Sequence, residues 1–109
     1  MQKITDDYTA SGQITADDVG SIADAGFKAV VCNRPDHEDP GQPTAAEIAS
    51  ACERHGLTFH HIPISGSQLH VETVEAMRDA IAGADGPVFA YCRSGARSAF
   101  VWQYAAQGE

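Results

Sequence analysis

Apolar positions in this chain fall into two patterns, short unbroken runs and helical stripes, separated by clusters of glycine, proline and charge. Between Ile4 and Gly12, Tyr8, Thr9 and Ala10 allow a short edge strand ending at Ser11 and Gly12. Thr15 has the character of an N-cap, with Asp17 and Asp18 in the first turn and Val19, Ile22 and Ala23 on one helical face. Gly26 ends that helix. Phe27 to Asn33 is β-branched and apolar, bounded by Gly26 and Pro35, which predicts a buried strand. Thr44 stands three residues before Glu47, the spacing of a capping box, so a second helix starts there, turns Ile48, Ala49 and Cys52 inward and ends near Gly56. Leu57 to Ile62 reads as a strand stopped by Pro63. A polar loop over Ser65 to Gln68 then precedes a helix from His70 to Ala82 with Val71, Val74, Met77 and Ile81 at core spacing. Gly83 to Pro87 turns the chain into a last strand, Val88 to Tyr91, and an apolar run from Ala99 to Ala106 completes a final helix that begins at the intervening loop.

Strand alternating with helix predicts a three-layer α/β fold: a mostly parallel central sheet with helices on both faces, formed by residues 1–109 as one domain. Ligands of such sheets bind beyond the carboxyl ends of the strands. Three loops leave those ends, Asn33 to Glu38, Pro63 to Gln68, and the segment after Tyr91. Their convergence brings Arg34 beside Cys92 although the two are far apart in sequence.

The segment after Tyr91 carries the chemistry: Cys92, Arg93, Ser94, Gly95, Ala96, Arg97, Ser98. A tight loop between a strand and a helix N-terminus turns backbone N–H groups inward, and these donors with the helix dipole favour an anion at the centre. A thiol in that field has its pKa lowered and becomes a nucleophile. Gly95 supplies backbone freedom, Ala96 and Gly95 offer amides, and Arg97 closes the loop with a planar fork suited to an oxyanion. Arg93 either touches the anion or points to solvent and steers it. Ser94 and Ser98 are candidate hydroxyl donors, Ser98 equally an N-cap. Arg34 is a further candidate anion contact. Asp36 is read either as a turn residue after Pro35 or as a general acid. His37, Glu38 and Asp39 read as a solvated charged turn, and Cys32 and Cys52 as core filler.

Composition narrows the field. With 7 Lys and Arg against 15 Asp and Glu the net charge is −8, which argues against nucleic acid or an anionic membrane as partner. Three cysteines at unrelated spacings form neither a disulfide framework nor a metal set, and the chemistry of the loop calls for no metal or organic cofactor. The polar start of the chain and the lack of a long apolar run point to a cytoplasmic protein.

Four residues separate Cys92 from Arg97, and in this the loop resembles that of rhodanese-type sulfurtransferases; cysteine-dependent phosphatases have five. The run Cys32 to Asp36, the later His61 to Ile64 and the cysteine loop together resemble the beta-lactamase-hydrolase-like family, small proteins with a dual-specificity-phosphatase-like fold described as phosphatases or sulfurtransferases. Where those phosphatases commonly place a general-acid aspartate, this chain has Ser65, Gly66 and Ser67. The resemblance therefore implies a sulfurtransferase in which Cys92 takes a sulfane sulfur from thiosulfate or a glutathione persulfide and passes it to a thiol, sulfite or cyanide. A cysteine phosphatase forming a phosphocysteine, and a non-catalytic anion or persulfide sensor, are the alternatives. The last helix is apolar nearly all round, which predicts either burial between sheet and helices or packing of Trp102 against a second copy or a fused neighbour.

Overall fold

The computed structural model describes residues 1–66 and 68–107. Five strands, β1 (Gln2–Thr5), β2 (Tyr8–Ser11), β3 (Ala29–Cys32), β4 (Thr58–His61) and β5 (Val88–Tyr91), form one sheet in the order β1-β2-β5-β3-β4. β1 runs antiparallel to β2, and the other neighbours are parallel. Four helices accompany them: α1 (Val19–Asp24), α2 (Ala45–Arg54), α3 (Val71–Ala82) and α4 (Ala96–Ala105).

The expected α/β architecture is present, and the alternation of side chains along each strand explains its two faces. Phe89 and Tyr91 of β5 join Val30, Cys32, Ile22, Ile48 and Cys52 in a core beneath α1 and α2. Val88 and Ala90 point the other way and join Val31, Tyr8, Met77 and Val101 beneath α3 and α4. A strand covered on both faces has no polar side to spare, hence the unbroken apolar runs in β3 and β5.

The N-terminal segment differs from its expectation as an edge strand. Residues 2–11 form a hairpin-like pair whose outer member, β1, is the edge, while β2 is wholly buried and pairs in register with β5, Ser11 opposite Tyr91. Tyr8 accounts for this: its ring fills the α3/α4 core and its hydroxyl donates to the Ser98 carbonyl at 2.8 Å.

Local signals set the helix starts. The Thr44 hydroxyl accepts from the Glu47 N–H at 3.2 Å and the Glu47 carboxylate accepts from the Thr44 N–H at 3.1 Å. Thr15 donates its N–H to Asp18 at 2.8 Å and leads through one 3-10 turn into α1. Along α3 the buried positions are Met77 and Ala80. Val71, expected in the core, is 69% exposed. α4 begins at Ala96, so Ser98 lies inside the first turn rather than capping it, and the N-cap is Gly95. Of the two readings open for Trp102, inward packing is the one found: it is partly buried against the core with its ring 6.1 Å from that of Tyr8, and Phe100 and Tyr104 are the exposed aromatics. No described helix is long and apolar enough to cross a membrane.

Candidate active site

β5 is the central strand, so the loop that leaves it, residues 92–95, opens between the ends of β2 and β3. The Cys92 N–H donates to the Ser11 carbonyl at 3.1 Å and the Asn33 N–H donates to the Tyr91 carbonyl at 2.7 Å, which pin the loop's start to both neighbours. Gly95 has φ of 97°, and a Cβ there would lie 3.3 Å from the Ser11 backbone. Left-handed geometry and this close approach both demand glycine, and they curl the chain so that the next residue starts α4.

The curl turns the amides onto one atom. The Gly95 N–H donates to Cys92 Sγ at 3.0 Å. Burial pushes the thiol pKa up, but the backbone N–H groups of Ser98, Ser94, Gly95 and Arg97 together outweigh it, and the pKa of Cys92 falls below that of an ordinary thiol. Cys52, buried without such donors, goes the other way to about 11. Cys32 is also raised by burial. Of the three cysteines, all free and buried, only Cys92 has its thiolate favoured.

The three loops converge as topology requires. The Ile64 N–H donates to the Asn33 carbonyl at 3.1 Å, and Arg97 donates from Nη1 to the Ile64 carbonyl at 2.7 Å. Arg97 is further gripped by Glu38: Nη1 donates to Oε2 and Nη2 to Oε1, each at 2.8 Å. The same Oε1 accepts from Arg34 Nε at 2.9 Å. One carboxylate thus ties together two guanidinium groups, and hydrogen bonds from Arg97 chief among several causes draw its pKa down to about 2. Sequence reasoning missed Glu38, treating it as part of a solvated turn, because nothing local marks a carboxylate whose partner is 59 residues away.

Arg34 lies close by but is not open to a ligand. It is 2% exposed, and its donors go to Glu38, to Asp39 and to the Gln13 side chain. It is a strut for the 33–39 loop rather than the expected anion contact. Arg93 has its side chain 68% exposed and pairs with Asp39 at 3.2 Å, so it points outward from the loop. Asp36, read as turn residue or general acid, accepts the Ala45 N–H at 2.8 Å and thereby caps α2. Ser94 Oγ accepts from the Ala96 N–H at 3.3 Å, within the loop. Ser98 is buried and donates its hydroxyl to Asn33 Oδ1 at 2.9 Å, while Asn33 Nδ2 donates to the Ile62 carbonyl at 2.9 Å. Asn33 therefore locks the first turn of α4 to the ends of β3 and β4. His61 shares a hydrogen bond with the Arg34 carbonyl at 2.9 Å. Ser67 lies outside the described residues. Among the described residues no three His, Cys, Asp or Glu side chains are grouped to hold a metal ion.

A cysteine whose thiolate is favoured by inward amides, closed by an oriented arginine at the carboxyl edge of the sheet, makes an anion-binding loop where ligands of α/β sheets bind. The model of the family described as "Beta-lactamase hydrolase-like protein, phosphatase-like domain" matches residues 1–108, and the chain belongs to that family. A curated relative from Agrobacterium fabrum, named beta-lactamase hydrolase-like protein, is 36% identical over 96 residues, covering 88% of this chain and 22% of that protein. The chain thus spans less than a quarter of the length of that relative. A crystal structure of a candidate phosphatase from Neisseria meningitidis is 39% identical, superposes with a TM-score of 0.86, and covers 99% of this chain and 78% of its own. P. aeruginosa TpbA, solved in complex with pTyr, has a TM-score of 0.67 at 17% identity over 98% of this chain and 64% of its own, and shows the shared fold.

These findings correct the expectation of a sulfurtransferase. The matching family is phosphatase-like rather than rhodanese, and the phosphatase alternative accords with it, so the thiosulfate or persulfide donor and the thiol, sulfite or cyanide acceptors fall with the main reading. Four residues between Cys92 and Arg97 suggested a ring selective for a terminal sulfur. A phosphoryl group calls for the same inward amides and the same guanidinium, so the count does not discriminate between the two chemistries.

Proposed function

We propose that residues 1–109 act as one cysteine-dependent phosphatase domain, with Cys92 as nucleophile and Arg97 as the phosphoryl-oxygen contact. The observation that carries this reading is the cradle of loop amides around Cys92, with the Gly95 N–H 3.0 Å from Sγ, in a chain of a phosphatase-like family. The Cys92 thiolate attacks phosphorus, an S–P bond forms, and the P–O ester bond breaks with its electron pair leaving on the alcohol oxygen. Water then attacks the phosphocysteine, releasing inorganic phosphate and regenerating the thiolate, with its extra proton passing to solvent. The amides of Ser94, Gly95, Arg97 and Ser98, with the Arg97 donors that Glu38 and Ile64 do not take up, stabilise charge on the phosphoryl oxygens as it develops.

The leaving group follows from what surrounds the loop. Glu38 is ionised at neutral pH, Asp36 is engaged as a helix cap, and Ser65 and Gly66 carry no acid. With little protonation on offer, the ester oxygen must be one that departs readily as an anion, a phenol-type oxygen rather than an alkyl one. The pTyr bound to the structurally similar P. aeruginosa protein is such an ester. A reducing cytoplasm suits a thiolate that must stay unoxidised.

The test is phosphate release from aryl and alkyl monoesters at neutral pH. The reading expects aryl turnover, little alkyl turnover, and loss of roughly 10⁵-fold in Cys92→Ser, the scale on which removal of a nucleophile acts. Absence of Cys92-dependent release from any monoester would overturn it.

A further inference from the structure

Two open depressions share Phe100 on the surface where α3 and α4 meet, and together they make a shallow groove beside the cysteine loop. Its mouth, about 430 Å³, is lined by Gly66, Ala96, Arg97 and Phe100. Phe100 also walls the larger part beyond, about 630 Å³, with Leu69, Val71, Val74 and Tyr104. These volumes lie in the range of sites that hold organic ligands.

Helical spacing builds this surface. Ala96, Phe100 and Tyr104 succeed one another at four-residue intervals, so they share one face of α4, and side chains on a helix lean toward its N-terminus. The Phe100 ring therefore reaches back toward the loop, and the stripe extends about 12 Å at 1.5 Å per residue. The rings of Phe100 and Tyr104 meet edge to face at 5.3 Å and stay 39% and 45% exposed beside Val71. Large apolar side chains exposed together, rather than singly, mark a surface that binds something.

We propose that this groove receives the apolar body of the leaving group, and that the substrate class is a phosphate monoester of a phenol bearing further aromatic or branched apolar bulk. The inference rests on the phosphatase reading of Cys92. Continuity fixes the occupant: Arg97 belongs both to the loop and to the groove mouth, so a phosphoryl group held in the loop presents its ester oxygen toward Phe100. The far part is also lined by Arg78 and Glu75, one charge of each sign, and Arg78 donates to the Tyr104 and Ala105 carbonyls at 3.3 and 3.2 Å.

Phenyl, naphthyl and biphenylyl phosphate, whose phenols are of similar acidity, separate groove binding from leaving-group chemistry. The expected result is a rise in kcat/KM of roughly tenfold from the smallest to the largest ester, carried by KM, as added apolar area is buried. Phe100→Ala and Val71→Ser each flatten the series, and Phe100→Leu restores part of it. Turnover of all three esters with no size dependence would overturn the groove assignment and leave the Cys92 chemistry standing. If none is turned over, the phosphatase reading fails, and calorimetric binding of the same esters to Cys92→Ser decides the groove by itself: affinity rising with size and lost on adding Phe100→Ala supports it, and equal affinities overturn it.

Discussion

Two loops leave adjacent strand ends in this molecule and meet at Arg97, yet they are built on opposite principles. The loop after β5 works through its backbone: amides of Ser94, Gly95, Arg97 and Ser98 converge on Cys92 because a left-handed glycine and a helix start aim them there. The loop after β3 works through side chains: Glu38, Arg34 and Asp39 hold one another and, through Glu38, hold Arg97. A site whose donors are backbone tolerates exchange of most side chains around it. A site held by a chain of ion pairs fails at whichever link is cut.

That contrast predicts graded damage. Arg97→Lys, which keeps the charge and loses the fork, should lower kcat/KM for an aryl phosphate by roughly 10³-fold, since a donor aimed at developing charge is removed. A loss of less than tenfold would mean that the amides alone suffice. Glu38→Gln leaves the fork but loosens its grip, and misplacement of a catalytic group on this scale costs on the order of tenfold to a hundredfold. Steady-state kinetics at a temperature well below both thermal midpoints would assign the loss to Arg97 orientation, whereas an equal loss in a variant carrying both substitutions and in Arg97→Lys alone would show that the two act as one unit.

Smaller effects sharpen the same comparison through pH. Because the folded-state pKa of Cys92 is lowered, the thiolate persists to more acid pH than the value of about 8.5 for a free cysteine, and the acid limb of kcat/KM should lie below that value. Iodoacetamide alkylation of Cys92 against pH checks it directly; a limb at or above 8.5 would contradict the loop's electrostatics. Glu38 is also a group with a lowered pKa, about 2 against an ordinary 4.5, so its ion pairs contribute stability fully above about pH 4.5 and lose it as pH falls toward 2. The stability difference between wild type and Glu38→Gln in urea should therefore shrink over that window. Last, Asp36→Ala removes a helix cap and should cost about 1 kcal/mol in unfolding free energy with little change in turnover. A collapse of kcat with loss of the basic limb would instead make Asp36 an acid.

Much of the cysteine loop was legible because its chemistry is local. Cys92, Gly95 and Arg97 lie within six residues, and the strand before them and the helix after them announce themselves by an apolar run and a helix start. The alternation of strands and helices likewise gave the three-layer fold and the convergence of the loops at one sheet edge. The mistakes concern long-range partners. Val71 has core spacing on α3 but looks onto the groove, because helix rotation is set by what lies opposite rather than by period; for Trp102, where two readings stood open, the inward one beside Tyr8 is found.

The sequence by itself determined the type of fold, the position of the candidate nucleophile, and the backbone loop around it, since these depend on residues close together along the chain. Tertiary structure alone decided that β2 lies inside the sheet, that Arg34 is a strut, that Asp36 caps α2, and that Glu38 orients Arg97. A charged side chain takes its role from the partner it meets, and here those partners come from other loops and elements.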